Sequence, residues 1–165
     1  MKMQFKKHLL AAGIFVVFLA ADIITKLVVV NSLSYFDRVD FLGGFLRFTL
    51  VYNEGGVFGI FQGYKTIFLI ISVVVLLLMI AYYIYEKQRT YLFCAAMALI
   101  TSGAVGNIID RLIANRPGVV DFISLGVDGV YRWPTFNVAD ICIVIGAALL
   151  VVVFYKEEKR RRQGQ

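Results

Sequence analysis

Apolar residues in this chain fall in long runs broken by short charged clusters. Four windows reach the roughly 20 residues that a helix needs to cross the hydrocarbon core of a bilayer: 9–30, 66–85, 91–113 and 138–155. The second and fourth are the most uniformly apolar, whereas the first carries Asp22 and Lys26 and the third Asp110 and Arg111. The connections 31–65 and 114–136 have a different period. Leu46, Phe48, Leu50 and Tyr52 alternate with Arg47, Thr49 and Val51, which predicts a strand. Glu54-Gly55-Gly56 then reads as a turn, with 57–61 as a candidate second strand. In the later connection 119–125 is extended, and 130–133 returns after Asp128-Gly129. Such apolar, strand-forming loops predict a small sheet on the membrane surface, one face buried against lipid or bundle, with Tyr131 and Trp133 at the interface. The expected fold is a mainly α membrane protein, a four-helix bundle with a small β-sheet cradle on its outer surface. One integral membrane domain is expected over 1–165.

Composition agrees with the pattern. The chain has 165 residues, 60% hydrophobic and 17% charged, where a soluble domain is nearer about half apolar and about a quarter charged. Lys2, Lys6, Lys7, Lys87, Arg89, Lys156, Lys159, Arg160, Arg161 and Arg162 all fall on one side of a four-span topology, while the loops 31–65 and 114–136 each balance their charges. The positive-inside rule therefore puts both termini in the cytoplasm and the two strand-forming loops outside. The pI near 9.4 follows from this asymmetry and from anionic lipid, so a nucleic-acid partner is not required. A cleaved leader is conceivable from Lys6-Lys7-His8 and the run ending at Ala20-Ala21. The apolar character resumes after Lys26, however, and the reading adopted is a retained first span. Cys94 and Cys142, both inside spans, read as small apolar residues.

The candidate chemistry lies in Asp121, framed as Val-Val-Asp-Phe-Ile, and Asp140, framed as Phe-Asn-Val-Ala-Asp-Ile. A carboxylate costs roughly 3 kcal/mol or more at the bilayer centre and marks a functional site by default. The bland alternative for Asp140 is a carboxylate in the first turn of a helix, with Asn137 as its N-cap. Two aspartates on one membrane face tilt the balance toward a shared site. Asn107 and Arg111 are four apart on one helix face, with Asp110 three from Asn107. Gly103 and Gly106 read as helix-packing positions. Asp22 and Lys26, also four apart, read as an intrahelical ion pair that lowers the cost of insertion. His8 sits at the opposite end and has no assigned role. Two neighbouring carboxyls hold one proton between them, so one can activate water while the other protonates the departing groups of a peptide bond. No His, Cys and Glu cluster suggests a metal, and no cofactor is expected.

These residues also form motifs. The chain resembles the bacterial lipoprotein signal peptidases in Asp22-x-x-x-Lys26, Asn53-x-Gly55-x-x-Phe58-Gly59, Gly103-Ala104-x-Gly106-Asn107-x-Ile109-Asp110-Arg111, Val119-Val120-Asp121-Phe122-Ile123 and Pro134-x-Phe136-Asn137-x-Ala139-Asp140, in that order over essentially the whole chain. Gly56-Val57 and Trp133 depart mildly from the family pattern. The resemblance implies an inner-membrane aspartyl endopeptidase with its site at the outer, periplasmic face. It implies a lipid-modified prolipoprotein substrate, cut before the diacylglyceryl cysteine, and inhibition by globomycin-type cyclic peptides. Asp121 and Asp140 match the catalytic pair. Asn53, Gly55, Asn107, Arg111 and Asn137 match positions for substrate binding or support of the pair, and Asp22, Lys26 and Asp110 are taken as structural polar residues. The alternatives from other classes are a four-span proton- or cation-coupled transporter, which leaves the strand-forming loops unexplained, and a non-catalytic assembly or chaperone subunit.

Overall fold

The computed structural model describes residues 2–56 and 61–164. Four helices, α1 (Lys2–Ser32), α2 (Lys65–Tyr85), α3 (Tyr91–Leu112) and α4 (Val138–Arg162), are each long and apolar enough to span a membrane. They contain three of the four expected windows whole, and α3 ends one residue short of the remaining one, at the extended Ile113. The 31-residue α1 and 25-residue α4 run beyond them, through the basic N-terminal arm and the Lys/Arg-rich tail. The described residues also form four strands: β1 (Arg38–Phe41), β2 (Leu46–Asn53), β3 (Val119–Val127) and β4 (Tyr131–Arg132).

Bundle order follows from side-chain size. α3 is the central helix, packing on α4, α1 and α2, and its buried face is built from small residues such as Ala96, Ala98, Ser102, Gly103 and Gly106. In α2 no residue is buried, which accounts for its unbroken apolar sequence: a helix with lipid on most of its surface has nowhere to put polar side chains. Thr90 caps α3 by accepting a hydrogen bond from Phe93 N at 3.0 Å. Two glycines set the α3–α4 spacing. A Cβ at Gly103 would run into the backbone carbonyl of Ala139, and one at Gly146 would sit 2.6 Å from Ile100 Cγ1 and 2.8 Å from the Ala96 carbonyl.

Both outer loops contribute to a single antiparallel sheet in the order β1-β2-β3-β4. The partners of β2 are β1 and β3; of the strand expected at 57–61, residues 57–60 lie outside the described residues and Phe61 is in a bend. One end of the sheet is clasped by charge. Arg47, buried on β2, pairs with Asp40 of β1 at 2.5 Å and with Asp128 in the β3–β4 turn at 2.7 Å, and Arg132 joins Asp128 at 2.9 Å. Hydrogen bonds from Arg47 and Arg132 hold the Asp128 carboxyl down at about 2, and that from Arg47 lowers Asp40. The opposite end of the sheet carries Asp121 and Asn53 and meets the bundle.

Close helix approach has a direct consequence. Gly146→Val should cost about 1–3 kcal/mol through overpacking and lower the thermal midpoint in detergent by several degrees. Gly13→Val, on an exposed face of α1 with open space around it, should leave the midpoint unchanged.

Candidate active site

Asp121 is buried on β3, 2% exposed, where the strand meets the bundle. One of its hydrogen-bond partners is placed by an irregularity in β2. Phe48 pairs with Ile123 but Val51 pairs with Asp121, so three steps along β2 match two along β3. A bulge of this kind moves every later residue of the strand to the other face. In the unbulged register Asp121 would stand opposite Leu50, and Asn53 would point away from it. With the bulge Asn53 shares the face of Asp121, and its Nδ2 donates to Asp121 Oδ2 at 3.0 Å. Burial of the successive residues Thr49 and Leu50 is the local sign of the shift, and the strict alternation expected through Tyr52 ends there. Asn53 Oδ1 in turn accepts from Gly55 N at 3.0 Å, closing the turn that follows.

Asp140 comes from the first turn of α4. Asn137 is the N-cap: its side chain accepts from Asp140 N at 2.9 Å while its own N–H donates to Asp140 Oδ2 at 3.1 Å, a reciprocal capping box. The capping role and membership of a shared site thus coexist. Asn137 Nδ2 also donates to Asp121 Oδ1 at 2.7 Å, so one asparagine bridges both carboxyl groups. From α3, Asn107 Nδ2 donates to Asp140 Oδ1 at 2.9 Å, and Asn107 Oδ1 accepts from Asn137 at 3.2 Å. Arg111 lies one turn on. Its Nη groups donate to the carbonyls of Asn107 and Gly55, while its Nε is buried without a hydrogen-bond partner among the described residues.

Beneath this layer lies a cluster of charges. Lys26 Nζ is 2.8 Å from Asp22 Oδ2 and 2.8 Å from Asp110 Oδ2, and it donates to Asn107 Oδ1 at 3.0 Å. The expected pairing within α1 is therefore half of a junction between α1 and α3. Arg116 adds a second cation to Asp110. Gly106 leaves room for the Asp22 carboxylate, which a Cβ there would overlap. His8 lies away from this site and meets Tyr83 at 2.7 Å, at the start of α1 and the end of α2.

Burial is the largest influence on Asp121, and the neighbouring charge of Asp140 acts the same way; together they raise its carboxyl to about 7 against the opposing hydrogen bonds of Asn53 and Asn137. Asp140 is less enclosed, so one carboxyl is fully buried and the other partly exposed. A pair of this kind fits proton transfer to and from a water or a peptide bond.

Residues 14–156 match the family model described as Signal peptidase (SPase) II. The chain belongs to the signal peptidase II family. It is 37% identical to a lipoprotein signal peptidase of Clostridium novyi (strain NT) over 78% of this chain and 85% of that protein, and 33% identical to one of Staphylococcus aureus over 87% and 88%. A bacterial membrane enzyme solved by the in meso method at 2.3 Å resolution superposes with a TM-score of 0.78 at 31% identity, over 90% of this chain and 88% of the other. It is thus a multi-pass membrane protein with lipoprotein signal peptidase function, an aspartic peptidase, and the transporter alternative falls away.

All the sequence candidates within the described residues lie in or directly beneath one constellation. Four contributions were not read from the sequence. Arg116 counted only as a loop charge, yet it neutralises Asp110. Lys65, at the start of α2, donates to the carbonyls of Arg116 at 2.5 Å and Ile113 at 3.3 Å, tying α2 to the end of α3. The backbone amides of Val120 and Ala139 donate to Asp110 Oδ2 at 3.2 Å and Asp22 Oδ1 at 2.9 Å. Only the spacing Val120-Asp121 and Ala139-Asp140 hinted at these, since backbone donors leave no mark on side-chain type.

A raised carboxyl gives a signed effect on stability. Between the ordinary value near 3.8 and about 7 the folded protein keeps a proton that the unfolded chain has lost, so stability falls as pH rises through this window. The full penalty, on the order of 4 kcal/mol, is present above it. The thermal midpoint of wild type minus that of Asp121→Asn should therefore decrease by several degrees from pH 4 to pH 8; a difference independent of pH would refute the raised carboxyl.

Proposed function

We propose that this enzyme removes signal peptides from diacylglyceryl-modified prolipoproteins, cutting before the lipidated cysteine with Asp121 and Asp140 as the catalytic pair. The observation that carries the reading is the bridge through Asn137, which touches both carboxyl groups, with Asn107 on the far side of Asp140. Asp121, deep and raised to about 7, holds the shared proton at rest. Asp140, the less enclosed of the two, draws a proton from the attacking water, while Asp121 protonates the carbonyl oxygen as the tetrahedral centre forms. The pair then returns a proton to the leaving amine. Asn53, Asn107 and Asn137 hold the carboxyl groups in register. Arg111, with its Nη groups already engaged on backbone carbonyls and its Nε without a partner among the described residues, serves the substrate backbone, and Gly55 fixes the guanidinium in place.

Topology follows the charge asymmetry: both termini cytoplasmic, the sheet and the pair at the outer face of a bacterial inner membrane. A diacylglyceryl anchor confines the scissile bond to that interface, which fits the exposed aromatic residues Tyr35, Phe36, Tyr131 and Trp133 on the outer connections. The test is cleavage of a diacylglyceryl-modified lipobox peptide in detergent. Asp121→Asn and Asp140→Asn should each lower kcat about 10²–10⁴-fold with the fold retained, and globomycin should inhibit the wild type. Near-wild-type turnover in either variant would sink the pair.

A further inference from the structure

Lys26 reaches neither aspartate directly, yet each of its contacts leads to one of them. The ammonium is 2% exposed and has three neighbours within 3.0 Å: Asp22 Oδ2, Asp110 Oδ2 and Asn107 Oδ1. Asp22 accepts from the backbone N–H of Ala139, the residue before Asp140. Asp110 accepts from the backbone N–H of Val120, the residue before Asp121. Asn107, with its carbonyl oxygen engaged by Lys26, must turn its amide nitrogen to Asp140. The same device thus acts on both halves of the pair, once from α4 and once from β3. Bundle stability alone requires only that Lys26 be neutralised, which Asp22 one turn earlier already does. It does not require the two carboxylates to grip the backbone beside each aspartate.

We propose that Lys26 is a positioning residue for hydrolysis: by holding Asp22, Asp110 and Asn107 together, it sets the separation and relative orientation of Asp121 and Asp140. The inference rests on the catalytic assignment above. Lys26 also contributes the positive potential felt by Asp121 from α1, against the negative charge of Asp140 on α4; Asp22, Asp110, Arg111 and Arg116 are the other charges of the cluster and its rim.

The discriminating variant is the double substitution Asp22→Asn/Lys26→Met in the full-length enzyme. It removes one charge of each sign and leaves Asp110 paired with Arg116, and the amide side chain placed at position 22 retains an oxygen for Ala139 N. The readout is steady-state cleavage of the diacylglyceryl lipobox peptide from pH 5 to 9. With a thermal midpoint near wild type, kcat should fall ten- to a hundredfold and KM should change less than threefold. Both limbs of the pH profile should move to higher pH, because Lys26, of the two charges removed, is the one that acts on Asp121. Asp110→Asn is the second variant, read in the same assay should the first not fold. It removes an anion, so kcat should fall with the limbs moving to lower pH. Wild-type kcat and limbs in a folded variant would overturn the proposal. So would a loss that merely tracks the folded fraction with limbs unmoved. If Asp121→Asn and Asp140→Asn abolish cleavage while these limbs stay put, only the positioning role fails; if those two variants remain active, the catalytic assignment itself fails.

Discussion

The ammonium of Lys26, buried between Asp22 and Asp110, is the interaction on which the arrangement of the site rests. Taking an ion out of water costs several kcal/mol even after relaxation, and a lone pair does not always recover it. Here the cluster closes its own charge: two carboxylates face two cations, Lys26 and Arg116. The remaining oxygen capacity is used on backbone amides of β3 and α4. Polar groups at membrane depth persist when they satisfy one another, and this cluster joins α1, α3, α4 and the sheet at one point. Removing one member would strand a charge, which is why its components belong together.

Above the cluster the aspartates are supported by neutral amides. Asn53, Asn107 and Asn137 donate to the carboxyl groups, which stabilises charge without adding net charge to the site. Burial and mutual repulsion outweigh those donors at Asp121, so its carboxyl stays high, at about 7. The folded state carries that penalty near neutral pH, as active sites commonly do. The bulge in β2 sets Asn53 beside Asp121, since a regular strand would present Leu50 and Tyr52 on that face. The Arg47 clasp at the far end of the sheet ties β1, β2 and the β3–β4 turn together.

Much of this was legible in the residues because membrane burial makes polar side chains conspicuous. Asp22, Lys26, Asn107, Asp110, Arg111, Asp121 and Asp140 stand out in apolar surroundings, and hydropathy locates the four helices, although α1 and α4 run past its windows into the basic arm and tail. Other features left weaker marks. β1 is a four-residue exposed strand, Arg38–Phe41, with no burial alternation to announce it. The bulge was illegible because Leu46 to Tyr52 reads as an unbroken alternation, and only pairing with β3 reveals the extra residue. The reach of Lys26 across helices was hidden by a simpler partner, Asp22, four residues away on its own helix. Arg116 sits in a Pro- and Gly-containing loop, where a basic residue is unremarkable until Asp110 is found beside it.

In the proposed mechanism Asp121 and Asp140, held by this cluster, share one proton near neutral pH. Infrared titration of the carboxylic C=O stretch in wild type and in Asp121→Asn tests it without substrate. A protonated carboxyl band is expected in the wild type, persisting to about pH 7 and missing from Asp121→Asn. Loss of every protonated carboxyl band in the wild type by pH 5, or an unchanged band in the variant, would contradict it.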